Sequence, residues 1–326
     1  MPNKLYNPDQ VKHFIEEGKT LVLSGDESIL ADLPKGNWIG GTIPYFMDPE
    51  GGVFTKEKIF VEDFSQVQTD TKIEVYDKNS IDNIVNNSYE NGFTYLLLPG
   101  MSEIHSHYAL IANDIDGIFN NPVTGWITGI DLNDLGNISP KAFHGQTGLK
   151  SDKEGVALHI KIREQKRANL EIINIFSQGG GDVLTFNEEG FSCKECNVNG
   201  EPTNFAEYIV QNDIDTRLPI VADYSGAMIN ISFQKVDTEK REVLFYAPVR
   251  KGIEYRLAKP VGDYVKIFNE MLPTDTSNVV SSCNCILNYL YSELEGKQTK
   301  GMYGPITFGE IAYVLVNQTL VYLSIE

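Results

Sequence analysis

The chain contains 326 residues, enough for two ordinary domains or for one large domain with a shared core. Its 45 acidic residues outnumber its 27 basic ones, and the resulting net charge of −18 repels nucleic-acid phosphates and anionic lipids. No apolar run approaches the roughly 20 residues of a membrane span, and the first residues lack the apolar stretch of a secretion signal. We therefore expect a cytoplasmic protein that has neither a nucleic-acid partner nor a membrane partner.

The first half of the chain alternates helices and strands. Apolar residues recur at helical spacing in residues 8–17 and 80–91, and each segment is predicted to form a helix. Strands are predicted at residues 20–25, 37–43 and 93–98, where apolar residues run between glycine or proline breaks. This succession indicates an α/β lobe.

A change of composition separates the two halves. Residues 114–154 are rich in Asn, Gly, Pro and Ser, which predicts a long loop that contains the boundary between a lobe at 1–150 and a lobe at 151–326. The second half is mostly alternating strand sequence, as at residues 156–164 and 242–249, with a few short helices. We therefore predict a mixed α/β fold of two lobes, with mixed sheets and a strand-rich second lobe.

The last fifth of the chain contains a strand that turns into a helix. In the segment SSCNCILNYLYSELEGK, at 281–297, Leu287, Leu290 and Leu294 recur at helical spacing. This pattern places Cys283 near the start of the helix, where main-chain N–H groups and the helix dipole stabilise a thiolate. The sequence therefore predicts a reactive thiol at Cys283.

Scattered short segments resemble FIST domains, a family proposed to sense small ligands. The strand and Gly-Gly-Thr turn of GNWIGGTIPYF, at 36–46, resemble the N-terminal FIST region. From about residue 168 onward, the order of elements resembles the C-terminal FIST region. It includes an NGEP turn at 199–202, a G-x-x-Y-R-L element at 252–257 and a GEI turn at 309–311. Together the two regions cover most of the chain.

One departure from the family affects the expected pocket. Where FIST domains often follow the Gly-Gly-Thr turn with small residues, this chain has Pro44, Tyr45 and Phe46. A ligand pocket at this turn would therefore have a different shape.

The resemblance implies a cytoplasmic sensory module that binds a small ligand, an amino acid or a related metabolite, and acts on a separate signalling protein. The site is expected between the lobes, where turn N–H groups hold a carboxylate and Glu310 holds an amine. Neither a cofactor nor a metal is expected there. The expected ligand-binding residues are Trp38, Gly40, Gly41, Thr42, Cys283, Tyr303, Gly309 and Glu310.

A hydrolase is the alternative interpretation. The segment LLLPGMSEIHSH, at 96–107, resembles the metal-binding opening of amidohydrolases, in which one strand presents two histidines to zinc. His105 and His107 would be those ligands, although only two further histidines follow them in the chain. A thiol-dependent hydrolase would instead use Cys283 with a histidine that approaches in space.

We predict that the purified protein holds no stoichiometric transition metal. The histidine set is incomplete, and an extended C-x-x-C at Cys193 and Cys196 places its sulfurs on opposite faces of a strand. Elemental analysis after purification without chelators checks this prediction. About one zinc ion per chain would contradict it and favour the amidohydrolase alternative.

Overall fold

Strands predominate in the computed structural model of the protein, which describes residues 2–224 and 227–326. Strand accounts for 43% of the chain and helix for 16%, and several sheets mix parallel and antiparallel pairs. The predicted mixed α/β fold with mixed sheets is therefore confirmed.

The strands follow one another at short intervals along the chain. Within the described residues they are β1 (Lys4–Tyr6), β2 (Leu21–Gly25), β3 (Trp38–Thr42), β4 (Tyr45–Asp48), β5 (Gly51–Phe54), β6 (Ile59–Asp63), β7 (Gln68–Tyr76), β8 (Gly92–Pro99), β9 (Val123–Thr128), β10 (Ala142–His144), β11 (Leu149–Ser151), β12 (Gly155–Ile162), β13 (Ala168–Ile173), β14 (Leu184–Thr185), β15 (Gly190–Cys193), β16 (Glu195–Val198), β17 (Glu201–Asn204), β18 (Ile220–Tyr224), β19 (Ala227–Ile231), β20 (Phe233–Asp237), β21 (Glu242–Val249), β22 (Tyr255–Leu257), β23 (Val279–Cys285), β24 (Gly304–Thr307), β25 (Glu310–Ala312), β26 (Val314–Val316) and β27 (Leu320–Ile325).

The α-helices are short. They are α1 (Pro8–Glu16), α2 (Glu27–Ala31), α3 (Glu103–Ile111), α4 (Phe205–Gln211), α5 (Tyr264–Met271) and α6 (Ile286–Tyr291). Single 3₁₀ turns occur at Ile81–Asn83, Ala112–Asp114 and Leu132–Asp134. Among the described residues, no helix has the length and apolar character that crossing a membrane requires.

Within residues 2–224 and 227–326, four six-stranded sheets and one three-stranded sheet form the fold. Their strand orders are β1-β6-β2-β3-β10-β11, β26-β25-β9-β8-β12-β7, β13-β27-β23-β24-β4-β5, β17-β16-β14-β22-β18-β19 and β15-β21-β20. Most neighbours are antiparallel, whereas β2 with β3, β8 with β9 and β23 with β24 are parallel pairs. Two of these parallel pairs position the candidate site.

Strands from the two halves of the sequence share sheets. β12 lies between β7 and β8, β25 pairs with β9, and β24 pairs with β4. A cut at residue 150 would pass through β11 and separate strands of two sheets. The division into 1–150 and 151–326 stays a prediction, but the hydrogen bonding runs across it.

The structure corrects two local expectations. The predicted long loop at 114–154 contains β9, a buried strand in the middle of a sheet, together with β10 and β11. The predicted helix at 80–91 is limited to the 3₁₀ turn Ile81–Asn83 followed by further turns. In both segments, tertiary packing outweighs a composition that by itself favours a different local structure.

Trp126 of β9 connects the sheets at the centre of the molecule. Its side chain is fully buried, and its Nε1–H donates to the Tyr95 hydroxyl of β8 over 3.0 Å. Its ring lies against Gly41 of β3, where a Cβ atom would approach ring atom Cζ3 to 2.7 Å. Glycine is needed at this position because any side chain would occupy the space of the indole.

We predict that Gly41→Ala destabilises the protein by about 1–3 kcal/mol, because the added methyl group overpacks the core against Trp126. Denaturant unfolding measures the change. Gly180→Ala is the matched control, since nothing lies within 4 Å of the added Cβ at that exposed glycine. Equal stability of the two variants would contradict the packing argument.

Candidate functional site

A cavity of about 280 Å³ lies where two parallel strand pairs end. The carboxyl end of β8 leads through Met101 to His105 of α3, and the carboxyl end of β23 supplies Cys285. Phe308, directly after β24, also lines the space. Ligands of open sheets commonly bind at carboxyl ends of strands, because the connecting loops diverge there and leave a crevice.

The walls of this cavity are mostly apolar. No charged side chain belongs to the described residues that line it. Its volume lies near the lower end of the roughly 300–1,000 Å³ of small-molecule pockets. The apolar wall residues include Ile127, Leu132, Phe191, Phe245, Leu287 and Phe308.

His105 contributes an unpaired hydrogen-bond donor. Its Nδ1 accepts a hydrogen bond from the Met101 main-chain N–H over 3.3 Å. Burial lowers the pKa of His105 to about 4, so the ring is neutral at pH 7 and its one proton sits on Nε2. Nε2 is buried without a partner. A buried donor without an acceptor is costly, and this one belongs to a residue that lines the cavity.

Asn317 contributes a second unpaired donor. Its side chain is 2% exposed, and its Oδ1 accepts from the Ser232 main-chain N–H over 3.1 Å and from the Ser232 hydroxyl over 2.6 Å. These contacts fix the orientation of the amide, because a main-chain N–H can only donate. Nδ2 is buried without a partner, and Asn317 lines the same cavity as His105.

Cys285 connects the cavity to a buried carboxyl group. Glu310 lies behind it, fully buried, and accepts hydrogen bonds from the Thr319 hydroxyl over 2.7 Å and from the hydroxyl of Thr307, the strand partner of Cys285, over 3.4 Å. Burial raises the pKa of Glu310 to about 8 and raises the pKa of Cys285 well above the usual thiol range. The thiol and the Glu310 carboxyl group are therefore both mostly protonated at pH 7, and Glu310 can take the thiol proton only once it ionises, through about pH 8.

Backbone strain occurs next to the cavity. Met101 lines it with φ at 61°, and Gln318, the neighbour of Asn317, has φ at 51°. Left-handed conformations of residues other than glycine are uncommon, and they cluster at functional sites when the surrounding structure holds them in place. The side chain of Met101 is 58% exposed.

The two predicted glycine turns approach one another through Trp126. Gly41 lies against the Trp126 ring, and Glu310 pairs with Trp126 in the ladder between β25 and β9. Neither turn lines the cavity. The space between them is occupied by the indole.

The predicted residues of the N-terminal turn make contacts within the fold. The Trp38 Nε1–H donates to the Pro34 carbonyl over 2.9 Å, and Gly40 lies under the Trp38 ring. The Thr42 hydroxyl accepts from the Lys141 main-chain N–H over 2.8 Å. Trp38, Gly40 and Thr42 belong to β3 and do not line the cavity.

The predicted residues of the C-terminal segment also hold strands together. The Gly309 carbonyl accepts from the Ile127 N–H over 2.8 Å, and the Tyr303 carbonyl accepts from the Ser282 hydroxyl over 2.9 Å. Gly309 does not line the cavity, although its neighbour in the chain, Phe308, does.

Cys283 does not lie at the start of a helix. It is inside β23, whereas α6 begins at Ile286 with Cys285 as its N-cap. The Cys283 sulfur lies 3.5 Å from the Gly125 carbonyl oxygen, and burial raises the pKa of its thiol. The expectation of a helix-start position for Cys283 was wrong because the strand, expected to end at Ser281, continues four residues further, to Cys285.

His105 and His107 lie on α3, not on a strand. Residues two apart on a helix do not face each other, and His107 Nε2 lies 3.5 Å from Asp82 whereas His105 lines the cavity. Within the described part of the chain, no group of three or more His, Cys, Asp or Glu side chains is arranged to hold a metal ion. The metal-dependent hydrolase stays a prediction without a preformed ligand set.

The cavity residues that the sequence did not indicate as site residues include Met101, Cys285 and Asn317. A signal for Asn317 existed, since the polar triplet Asn317-Gln318-Thr319 interrupts an apolar tail and is almost fully buried. For Cys285, the alternation of a strand places it on the same side as Cys283, closer to the strand end. Met101 carried no comparable signal.

A second buried acid, Glu62 of β6, lies near this region. It is fully buried, and its Oε2 accepts a hydrogen bond from the Tyr95 hydroxyl over 2.8 Å, while Oε1 has no hydrogen-bond partner. Burial raises the pKa of Glu62 to about 7. Cys283 lies close enough to both acids for each to raise the pKa of its thiol.

Comparison with known proteins assigns the sequence to a family. Residues 6–326 match the model of one family, described as a family of unknown function (DUF6976). No curated protein matches the chain at a significant level.

We predict that Glu62 lowers stability as pH rises. Its folded pKa of about 7 exceeds its ordinary value of 4.5, so the folded state retains a proton that the unfolded state releases. The destabilisation of the folded state by Glu62 is absent below pH 4.5 and grows as pH rises. It reaches on the order of 3 kcal/mol of unfolding free energy above pH 7. Glu62→Gln should therefore unfold with a flatter pH dependence between pH 5 and 7.

Urea unfolding over this pH range measures the difference. Glu57→Gln, at an exposed position, is the matched control and should keep the wild-type slope. Equal slopes for Glu62→Gln and the wild type would contradict the assignment.

Proposed function

We propose that the chain, which belongs to this family of unknown function, binds a small, neutral and largely apolar molecule through an acceptor oxygen in the cavity. A ketone, an aldehyde, a lactone or an amide has the required group. The site is lined by His105, Asn317 and Cys285.

The observation that supports this proposal is the pair of unpaired donors. Nε2 of His105 and Nδ2 of Asn317 both lack an acceptor, and both residues line one mostly apolar cavity. A carbonyl oxygen has two lone pairs and can accept from two donors at once. Ligand binding would then remove the desolvation cost of both groups.

The absence of charged side chains among the described lining residues favours a neutral ligand. A carboxylate or an ammonium group would lose its hydration without gaining a counterion. Within the proposed class of metabolites, a neutral carbonyl compound therefore suits the cavity better than a zwitterionic amino acid.

A sensory role is part of the proposal. The resemblance to FIST domains supports a module that binds its ligand in the cytoplasm and acts on a separate signalling protein. The cavity supports the binding step of that role, because it is preformed and of small-molecule size.

We predict that His105→Phe weakens binding of a neutral ketone about tenfold, the value of one net hydrogen bond. The same substitution should stabilise the unliganded protein by about 1 kcal/mol, since it removes a buried donor without a partner. A merely structural histidine would not produce these opposite effects. Ligand-observed NMR with cyclohexanone measures affinity, and thermal unfolding measures stability.

Two controls sharpen this test. Methylenecyclohexane has the shape of cyclohexanone without the oxygen and should bind the wild type and His105→Phe equally. His107→Phe changes a histidine on the same helix that does not line the cavity, and it should bind cyclohexanone like the wild type. Undiminished ketone binding by His105→Phe would overturn the proposal.

A further inference from the structure

We propose that the cavity captures α,β-unsaturated carbonyl compounds covalently, with Cys285 as the nucleophile and Glu310 as the acceptor of its proton. This inference rests on the proposed function, because the carbonyl oxygen of the captured compound occupies the site between His105 and Asn317. It adds a ligand class and a chemical step that simple binding does not require.

The first support is the position of the thiol. Cys285 lines the cavity together with the two unpaired donors, at the carboxyl end of β23. Asn317 is 2% exposed, its Nδ2 has no partner, and it lines the same cavity as the thiol, so an acceptor oxygen bound in the cavity would satisfy this donor. An oxygen held there would orient an attached carbon–carbon double bond inside a cavity of small-molecule size.

The second support is the buried acid behind the thiol. The Glu310 carboxyl group lies outside the cavity and accepts hydrogen bonds from the hydroxyl groups of Thr319 and Thr307. Thr307 pairs with Cys285 between β23 and β24, so the carboxyl group lies next to the thiol. A protonated thiol is a poor nucleophile, and burial alone would keep this one protonated. Once Glu310 is ionised, the carboxylate beside the thiol removes that obstacle, as adjacent bases do for other weak nucleophiles.

The step balances without an oxidant or a reductant. The thiol proton moves to the Glu310 carboxylate while a sulfur electron pair forms a bond to the β-carbon. The π electrons of the carbon–carbon double bond move toward the carbonyl oxygen, and the Nε2–H of His105 and Nδ2–H of Asn317 stabilise the enolate. Water then supplies a proton to the α-carbon, and Glu310 gives the proton it took from the thiol to the hydroxide left behind. The product is a saturated thioether, and the net change is addition of S–H across the carbon–carbon double bond.

This arrangement predicts a pH dependence. The titratable groups that face Glu310 are Cys283 and Cys285 of β23 and Tyr264 of α5. Burial raises the pKa of all three well above their usual ranges, whereas the pKa of Glu310 is about 8. The rate of capture should therefore rise as Glu310 ionises, through about pH 8, and Glu310→Gln should lose that rise.

The test uses cyclohex-2-enone as the probe and intact-protein mass spectrometry as the readout. Wild type should gain one enone per chain, and Cys285→Ala should lose this adduct. Cys283→Ser is the matched control, since it alters a buried cysteine of the same strand that does not line the cavity, and it should still be labelled. Thermal unfolding of each variant verifies that it is folded.

Cyclohexanone separates this inference from the proposed function. If cyclohexanone binds but cyclohex-2-enone leaves Cys285 unmodified at every pH, covalent capture is wrong and reversible binding stands. If neither compound binds, both proposals fail. Equal labelling of Cys285→Ala and wild type, or labelling confined to Cys193, would also overturn capture at Cys285.

Discussion

The fully buried indole of Trp126 is the contact on which the rest of this structure depends. Its main chain pairs β9 with β25, its ring fills the space over Gly41 of β3, and its Nε1–H reaches Tyr95, which in turn donates to Glu62. One residue thus connects β3 with β25, which lie more than 200 residues apart in sequence. A protein interior has little free volume, so a change in side-chain size at this contact would displace the neighbouring strands.

Around this centre, the protein buries the carboxyl groups of Glu310 and Glu62, and the hydrogen bonds that hold them come from uncharged groups. Glu310 accepts hydrogen bonds from hydroxyl and main-chain groups, and Glu62 accepts from a tyrosine hydroxyl. Burial raises the pKa of Glu62 to about 7 and of Glu310 to about 8, so both acids are neutral over part of the physiological range. Strongly shifted acids are costly, and they are frequent at functional sites.

The cavity lies beside one of these acids because of strand topology. Parallel pairing of β8 with β9 and of β23 with β24 brings carboxyl ends of strands from both halves of the chain to one place. His105 and Cys285, which are 180 positions apart in sequence, line one cavity in consequence. Residues from both sides of the predicted lobe boundary therefore form the site, and the sheets that the two halves share explain its position.

Local sequence patterns determined much of the secondary structure. The helical periodicity of residues 8–17 corresponds to α1, and the apolar run at 93–98 corresponds to β8, because burial of one helical face or of a whole strand requires such patterns. The same reasoning missed β9, whose sequence VTGWIT lies in a segment of loop-like composition and forms a strand only because β8 and β25 flank it. Register within this sheet depends on contacts from distant parts of the chain.

The candidate site was decided almost entirely by tertiary structure. The sequence drew attention to Cys283, Glu310 and His105, but it could not show that β23 continues to Cys285 or that Trp126 fills the space between the glycine turns. It also could not show that Nε2 of His105 and Nδ2 of Asn317 each lack a hydrogen-bond partner. Composition and periodicity report which residues are buried, whereas an unpaired donor is a property of the three-dimensional neighbours, and these come from every part of the chain.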